Sequence, residues 1–479
     1  MSIIDLIKKN VEKNPTKIAI IDEERQIVYE KLFQEIQEFS KKISFLNKKE
    51  VISLVSENSI SFIISYFGII NSGKIVHLLS PEITEINLLE QLDSADSEAI
   101  ICPRSTIDRF LSINSGKIPI FEIEEIFSKQ KNTPNHKLKN EMTYLIYTSG
   151  TTSKPKGVAV SHSMIEFTTR NIIDVLDYSD SDVDLVPLPL YHSFGLGCIH
   201  TSLFAGSTLV LLKNSMNLEK ILETMNKFNV TTLAAVPATL TKLLKLNIKN
   251  FQDFFKDIRL IMTNSTTVPK KTVLEYKKIL RKGNLATYYG LTEASRSTFM
   301  IFNNENGREE SVGKISPNVE IKIENEKQDK SDIGEIYIRG KNVIKKYWKN
   351  SEADKNLIDG WLKTGDMGYF DEEGFLFLKG RSDEIINIGG EKVSPFDIEE
   401  IVKEIPGIDD AAAFGIEHEV FGQTIKLCIV KSKDSKIKKS QILSYCMKNL
   451  EKYQIPSKID FVENIPKTGY GKVKRFMLK

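Results

Sequence analysis

From Met1 to about Asn140, short apolar runs of strand character alternate with stretches of helical spacing, and this alternation narrows the fold more than any other feature of the chain. Ile18–Asp22 reads as a strand, while Tyr29–Ile43 sets Leu32, Ile36, Phe39 and Ile43 at helical intervals. Val51–Ser56, Ile75–Leu79 and Ala99–Cys102 repeat the strand pattern, and Phe62–Asn71 is an apolar helix ending near Gly73. Such alternation predicts an α/β sheet with helices on its faces. Strands at Thr208–Leu212, Thr231–Val236 and Arg259–Met262 continue it, with a helix over Glu219–Phe228. Asn264, Ser265, Thr266 and Thr267 then fall at a strand end, where open α/β sheets place ligands.

Beyond them the pattern changes. Ile333–Arg339 and Phe375–Leu378 alternate as hairpin strands do, predicting a small β subdomain. Near residue 381 the sequence restarts with a strand, a Gly-Gly turn and a helix from Pro395 to Lys403. Strands at Ala411–Ile416, Ile425–Val430 and Ile459–Val462 and a helix over Ser440–Lys452 complete it. The expected architecture is a large N-terminal α/β domain with a β subdomain over residues 1–380, and a small α+β domain over 381–479.

With 479 residues and 41% hydrophobic content the chain can build more than one core. Lys+Arg 66 against Asp+Glu 64 leaves a net charge of +2, and no basic stripe interleaved with aromatics marks a nucleic-acid partner. The N-terminus lacks the apolar core of a signal peptide. Ile60–Ile70 is too short for a transmembrane segment and holds Ser61 and Ser65. Cys102, Cys198, Cys428 and Cys446 are far apart and match no metal spacing, as suits a reducing, cytoplasmic location.

The densest candidate site is Tyr144–Gly157, YLIYTSGTTSKPKG. Leu145, Ile146 and Tyr147 read as a buried strand that breaks into Thr148, Ser149, Gly150, Thr151, Thr152 and Ser153, with Lys154 and Lys156 around Pro155. Small residues turn backbone N–H groups toward an anion, hydroxyls add donors and lysines add charge, which suits a polyphosphate. The spacing is not that of the common P-loop. The bland reading is a solvated surface loop; against it stand the strand directly before the loop and the second lysine next to Gly157.

Other stretches carry candidates with plain structural readings beside them. Asp184–Gly197 reads as a strand running into a turn that holds His192 and Phe194, and a lone histidine there is ordinarily a packed residue. Ala286–Ser295, ATYYGLTEAS, is a short strand ending at Gly290 with Thr292 and Glu293 at the turn, where an acid commonly serves a helix start. Asp366 sits between Gly365 and Gly368 at an exposed turn; Arg381 and Asp383 share another. The terminal PKTGYGKVKR presents Lys472 in a glycine-flanked loop, and lysine-rich ends are commonly solvated tails.

Taken together, YTSGTTSKPKG, YGLTE, TGD, GRSDE and GYGK, in that order, resemble the adenylate-forming superfamily of acyl- and aryl-CoA synthetases, adenylation domains and beetle luciferases, over nearly the whole chain. The resemblance implies that Thr148, Ser149, Gly150, Thr151, Thr152 and Lys156 form a mobile loop over the β- and γ-phosphates of ATP. Tyr289 and Gly290 would lie at the adenine, Thr292 at the α-phosphate, and Glu293 would bind Mg²⁺. Asp366 would accept from both ribose hydroxyls, assisted by Arg381. Lys472 would reach the substrate carboxylate and the bridging phosphate oxygen. Asp383 matches the hinge of a mobile C-terminal domain, and Gly389-Gly390 the segment lining the thiol's tunnel. His192, Phe194 and Ser265 fall on the substrate and thiol side.

The implied reaction joins two anions, so cationic donors and Mg²⁺ are needed where charge accumulates, and an ionised carboxylate needs no general base. Ser153 replaces a usual glycine, and LIMTNSTTVP, Leu260–Pro269, replaces a run of small residues. His192 stands where amino-acid-activating members carry an aspartate. The implied activity is an AMP-forming acid–CoA ligase for a fatty or aromatic carboxylic acid; the alternative acceptor is the phosphopantetheine of an acyl carrier protein. A nucleotide-binding scaffold without catalysis is the competing class, and it would lack Glu293, Asp366, Arg381 or Lys472. Arg296 reads as a surface or ion-paired arginine, with recognition of a polar or anionic tail on the acid as its alternative.

Overall fold

Strands buried on both faces have no polar side to alternate, so they appear in sequence as continuous apolar runs and assemble as parallel sheet. Val51–Val55, Ile75–Leu79 and Ser97–Cys102 are buried at every position and lie side by side in this way. The computed structural model describes residues 2–114, 116–128, 140–148, 155–213, 217–246, 248–325, 332–388, 391–467 and 473–478. The chain divides into two compact units: Met1–Asn264, Val268–Glu320 and Ile338–Leu362 in one, and Ser265–Thr267, Ile321–Tyr337 and Lys363–Lys479 in the other.

The first unit holds two sheets. One is six-stranded, in the order Ile120–Glu122, Ser97–Cys102, Val51–Val55, Ile75–Leu79, Met142–Thr148, Lys156–Ser161, parallel except for its last pair. The other is nine-stranded, with a parallel centre that includes Val183–Val186, Thr232–Ala234, Leu260–Thr263 and Asn284–Tyr289, and antiparallel pairs at both edges. Apolar side chains of both sheets share one core with helix Ile60–Asn71 and helix Tyr29–Lys42. Ser161 caps helix His162–Val175 by accepting from the Met164 N–H, as its position predicts.

In the second unit strand Leu376–Arg381 pairs antiparallel with Trp361–Phe370. A further sheet runs Glu391–Val393, Ile386–Ile388, Gly422–Lys431, Ile408–His418, with Lys458–Phe461 added parallel to Gly422–Lys431. Helices Pro395–Lys403 and Lys439–Asn449 close its core through Ile398, Val402, Ile442 and Cys446. The α/β class of the first unit is the one the alternation predicts, and the second unit takes in residues 265–267, 321–337 and 363–380 besides the stretch after residue 381.

Three local expectations are corrected. The turn expected at His192 and Phe194 is helix Ser193–Ala205, with His192 at its N-cap. That helix is apolar and buried on nearly all sides, so it carries no amphipathic stripe to read. Asp366 lies within strand Trp361–Phe370, not at an exposed turn, because Gly365 takes φ +74° and lets the strand bend and continue. The helix expected over Ser440–Lys452 spans Lys439–Asn449.

Candidate active site

Open α/β sheets present ligand-binding residues beyond the carboxyl ends of their strands, and in the first unit several candidates gather at such ends. Thr148 and Lys156 are register partners closing the antiparallel pair Met142–Thr148 and Lys156–Ser161. Ser149, Gly150, Thr151 and Thr152 lie outside the described residues, as do Ser153 and Lys154. Tyr289 ends strand Asn284–Tyr289 and is buried; its carbonyl accepts from the Ser297 N–H at 2.7 Å. Gly290 follows in a tight reverse turn where a Cβ would stand 2.6 Å from both the Ala294 carbonyl oxygen and the Arg296 nitrogen. Thr292 and Glu293 come next, partly buried.

Glu293 and Lys156 are linked by a residue that the motifs do not include. The Tyr347 hydroxyl donates to the Glu293 carboxylate at 3.2 Å, and the Lys156 ammonium lies 6.0 Å from the centre of the Tyr347 ring. Backbone contacts fix this segment on both sides. Tyr347 forms a bridge with Val158, the Trp348 N–H donates to the Gly157 carbonyl at 2.8 Å, and the Ile344 N–H donates to the Glu293 carbonyl at 2.9 Å. The sequence signal was KKYWKN, two aromatics in a lysine run, which reads as surface.

Phe194 packs edge-on against Tyr288, ring centres 5.8 Å apart. Burial lowers the pKa of His192 to about 3, so it is neutral and supplies no charge. Near them, Arg296 is neither at the surface nor ion-paired among the described residues, the two positions expected of it first. It is 5% exposed, in a left-handed backbone conformation (φ +56°), with its guanidinium 5.0 Å from the centre of the Tyr288 ring.

In the second unit Asp366 and Arg381 face one another in register. Arg381 Nη1 donates to Asp366 Oδ1 at 3.2 Å and to the Thr364 carbonyl at 2.7 Å, and its Nε donates to Asp383 at 3.3 Å. Burial works to lower the Arg381 pKa, but Asp366 and Asp383 together raise it. Gly365 makes the seat: a Cβ there would lie 2.7 Å from Arg381 Nη2. Ser265, with φ +96° just beyond strand Leu260–Thr263, belongs to this unit as well.

Gly389, Gly390 and Lys472 lie outside the described residues. The chain flanking Lys472 is nevertheless pinned. Lys467 and Val473 form an antiparallel bridge, and Arg475 donates to Glu384 at 2.8 Å, to buried Glu399 at 2.6 Å and to the Ala413 carbonyl at 3.1 Å. Arg475 is a second residue that motif reading passed over, because a cation near a lysine-rich end reads as solvated.

The donor set fits Mg²⁺ that arrives with a nucleotide. Among the described residues no group of three His, Cys, Asp or Glu could hold a metal ion by itself. A single oriented carboxylate such as Glu293 suits Mg²⁺, which keeps waters and takes substrate phosphates as its other ligands. Among the described residues no helix is long and apolar enough to cross a membrane, and all four cysteines are free and buried.

Comparison with known proteins agrees with this geometry. The family model described as AMP-binding enzyme matches residues 7–348, and that described as AMP-binding enzyme C-terminal domain matches residues 397–472. The putative acyl–CoA ligase YdaB of Bacillus subtilis is 32% identical, over 75% of this chain and 72% of its own length. The 2-succinylbenzoate–CoA ligase of Listeria monocytogenes is 28% identical over 99% of this chain and 98% of its own. Among solved structures, o-succinylbenzoate CoA synthetase (MenE) from Bacillus subtilis, in complex with its acyl-adenylate intermediate, superposes with a TM-score of 0.90. It is 26% identical, covering 99% of this chain and 97% of that one.

Proposed function

The chain belongs to the AMP-binding enzymes and is an ATP-dependent, AMP-forming acid–CoA ligase, and we propose that it activates a fatty or aromatic carboxylic acid through the following residues. The acid's carboxylate attacks the α-phosphorus of ATP, pyrophosphate leaves, and the acyl adenylate passes its acyl group to the CoA thiol with release of AMP. Thr148, Ser149, Gly150, Thr151, Thr152 and Lys156 hold the β- and γ-phosphates, Tyr289 and Gly290 the adenine, Thr292 the α-phosphate, and Asp366 with Arg381 the ribose. Glu293 holds Mg²⁺, which supplies charge neutralisation at the phosphates. Lys472 reaches the reacting carboxylate and α-phosphate during adenylation. Residues 381–479 form the mobile domain, which then turns about Asp383 and brings Gly389 and Gly390 to the thiol path. His192, Phe194 and Ser265 border the acyl and thiol side.

The observation that supports this reading best is the Lys156–Tyr347–Glu293 line, in which the Lys156 ammonium lies over the ring whose hydroxyl donates to Glu293. A solvated loop lysine and a helix-start carboxylate would need no such connection. Neutral His192 offers no negative charge to an α-ammonium, so free amino acids are not expected to be substrates.

The test is pyrophosphate and AMP release across fatty, aryl and amino acids, followed by thioester formation with CoA and with a holo carrier protein. Acid-dependent AMP release with stoichiometric acyl-CoA is expected. A thioester formed on the carrier protein alone would reassign the acceptor. No acid-dependent pyrophosphate release with any acid would overturn the ligase reading.

A further inference from the structure

Arg296 lines a small cavity in the first unit together with Tyr144, Met164, Ser193, His200 and Thr292. Its guanidinium presents five donors in a planar fork. Nη1 donates to Ser295, yet Nε and Nη2 are buried with no hydrogen-bond partner among the described residues. No carboxylate pairs with this arginine among the described residues. Its neighbours are instead uncharged: the Tyr288 face, the Tyr144 phenol, whose pKa burial raises to about 12, and His200, whose pKa burial, helped by Arg296, lowers to about 3.

A cation is rarely buried in this way unless something pairs with it. The guanidinium packs directly on Gly197 of helix Ser193–Ala205, where a Cβ would stand 1.7 Å from Arg296 Nη2 and the guanidinium would have to shift. The Asn342 carboxamide oxygen, which could accept from a cation, is likewise buried without a partner, and its nitrogen is committed to Ser295 and Ser297. The same cavity is bordered by Thr292, the residue assigned to the α-phosphate, and by apolar Val160 and Ile165. Thr292 and the two open N–H donors of Arg296 thus border one cavity, whose lining also includes Thr168 and Thr169. The group that satisfies a planar guanidinium with two donors free is a carboxylate.

We propose that the acid activated by this enzyme is a dicarboxylic acid, whose remote carboxylate is held by Arg296 while the other is adenylated. This rests on the ligase reading and narrows its substrate class. The chemistry of the reaction is unchanged, because the remote carboxylate forms and breaks no bond.

The test compares dicarboxylic acids of three to eight carbons, and one aryl dicarboxylate, with the monocarboxylic acids of matching length. Acyl-CoA formation is followed for the natural enzyme and for Arg296→Met, which keeps an unbranched side chain without charge or donors. The natural enzyme is expected to favour a diacid over its matched monoacid by ~10²-fold or more in kcat/KM. Arg296→Met should lose that preference, chiefly through a raised KM for the diacid, and keep or improve turnover of the monoacid. Equal use of both classes by the natural enzyme would overturn the proposal while leaving the ligase reading intact. So would an Arg296→Met protein that keeps the diacid preference. Should Arg296→Met not fold, the natural enzyme's preference decides alone. Absence of thioester with every acid would instead count against the ligase reading and the proposal together.

Discussion

Tyr347 donates its phenolic hydrogen to the Glu293 carboxylate at 3.2 Å. The two are far apart in sequence, and the Ile344-to-Glu293 backbone hydrogen bond brings them together. Hydrogen bonds to a charged group contribute roughly 1.5–3 kcal/mol, so Tyr347→Phe should raise the Mg²⁺ concentration needed for adenylation by ~10-fold. The ring itself is kept, so thermal stability should change little. An unaltered Mg²⁺ dependence would show that the tyrosine only fills space.

Asp182 and Arg259 form a bidentate pair, Nε to Oδ1 and Nη2 to Oδ2, each 2.6 Å, with the carboxylate buried. Burial pushes the Asp182 pKa up, but Arg259 and the Ser179 N–H outweigh it and hold the carboxyl below its ordinary value. A lowered folded-state pKa adds stability that is present above the unfolded value and lost as pH falls through the folded one. Asp182→Asn should therefore cost about 3 kcal/mol at neutral pH, and the gap to the natural protein should close below about pH 4. Equal gaps at pH 7 and pH 3 in denaturant titrations would contradict the linkage.

Arg475 satisfies Glu384, Glu399 and the Ala413 carbonyl at once. A lysine is a point donor and cannot reproduce that fork. Arg475→Lys should destabilise the second unit and slow adenylation more than thioester formation from supplied acyl adenylate, because the chain it anchors begins next to Lys472. Equal slowing of both steps would mean that Arg475 is structural only.

Most of the fold was legible because apolar runs buried on both faces and helical spacing survive in the sequence as periodicity, as at Val51–Val55 and Tyr29–Lys42. What was missed depended on long-range packing. Helix Ser193–Ala205 hides in a uniformly buried setting, and two glycines around Asp366 read as a turn although Gly365 only bends a strand around Arg381. Tyr347 and Arg475 sit among lysines and gain their roles from partners distant in sequence. Arg296 was expected outside or paired, because only the folded chain shows that Gly197 leaves it a buried seat.

Asp383 accepts from Arg381 at 3.3 Å and is exposed just after strand Leu376–Arg381. Proline there restricts φ. Asp383→Pro should leave adenylation near normal and depress thioester formation, as a hindered hinge requires. Matching losses in both half-reactions would remove the hinge assignment.

The proposed mechanism gives Lys472 to the first half-reaction and not to the second. The decisive measurement is the rate of each half-reaction, taken separately, for Lys472→Ala. Acid-dependent pyrophosphate release should fall by ~10²–10³-fold, as when a donor to developing negative charge is removed. Chemically supplied acyl adenylate should still become acyl-CoA at a near-normal rate. Normal pyrophosphate release by Lys472→Ala would contradict the account.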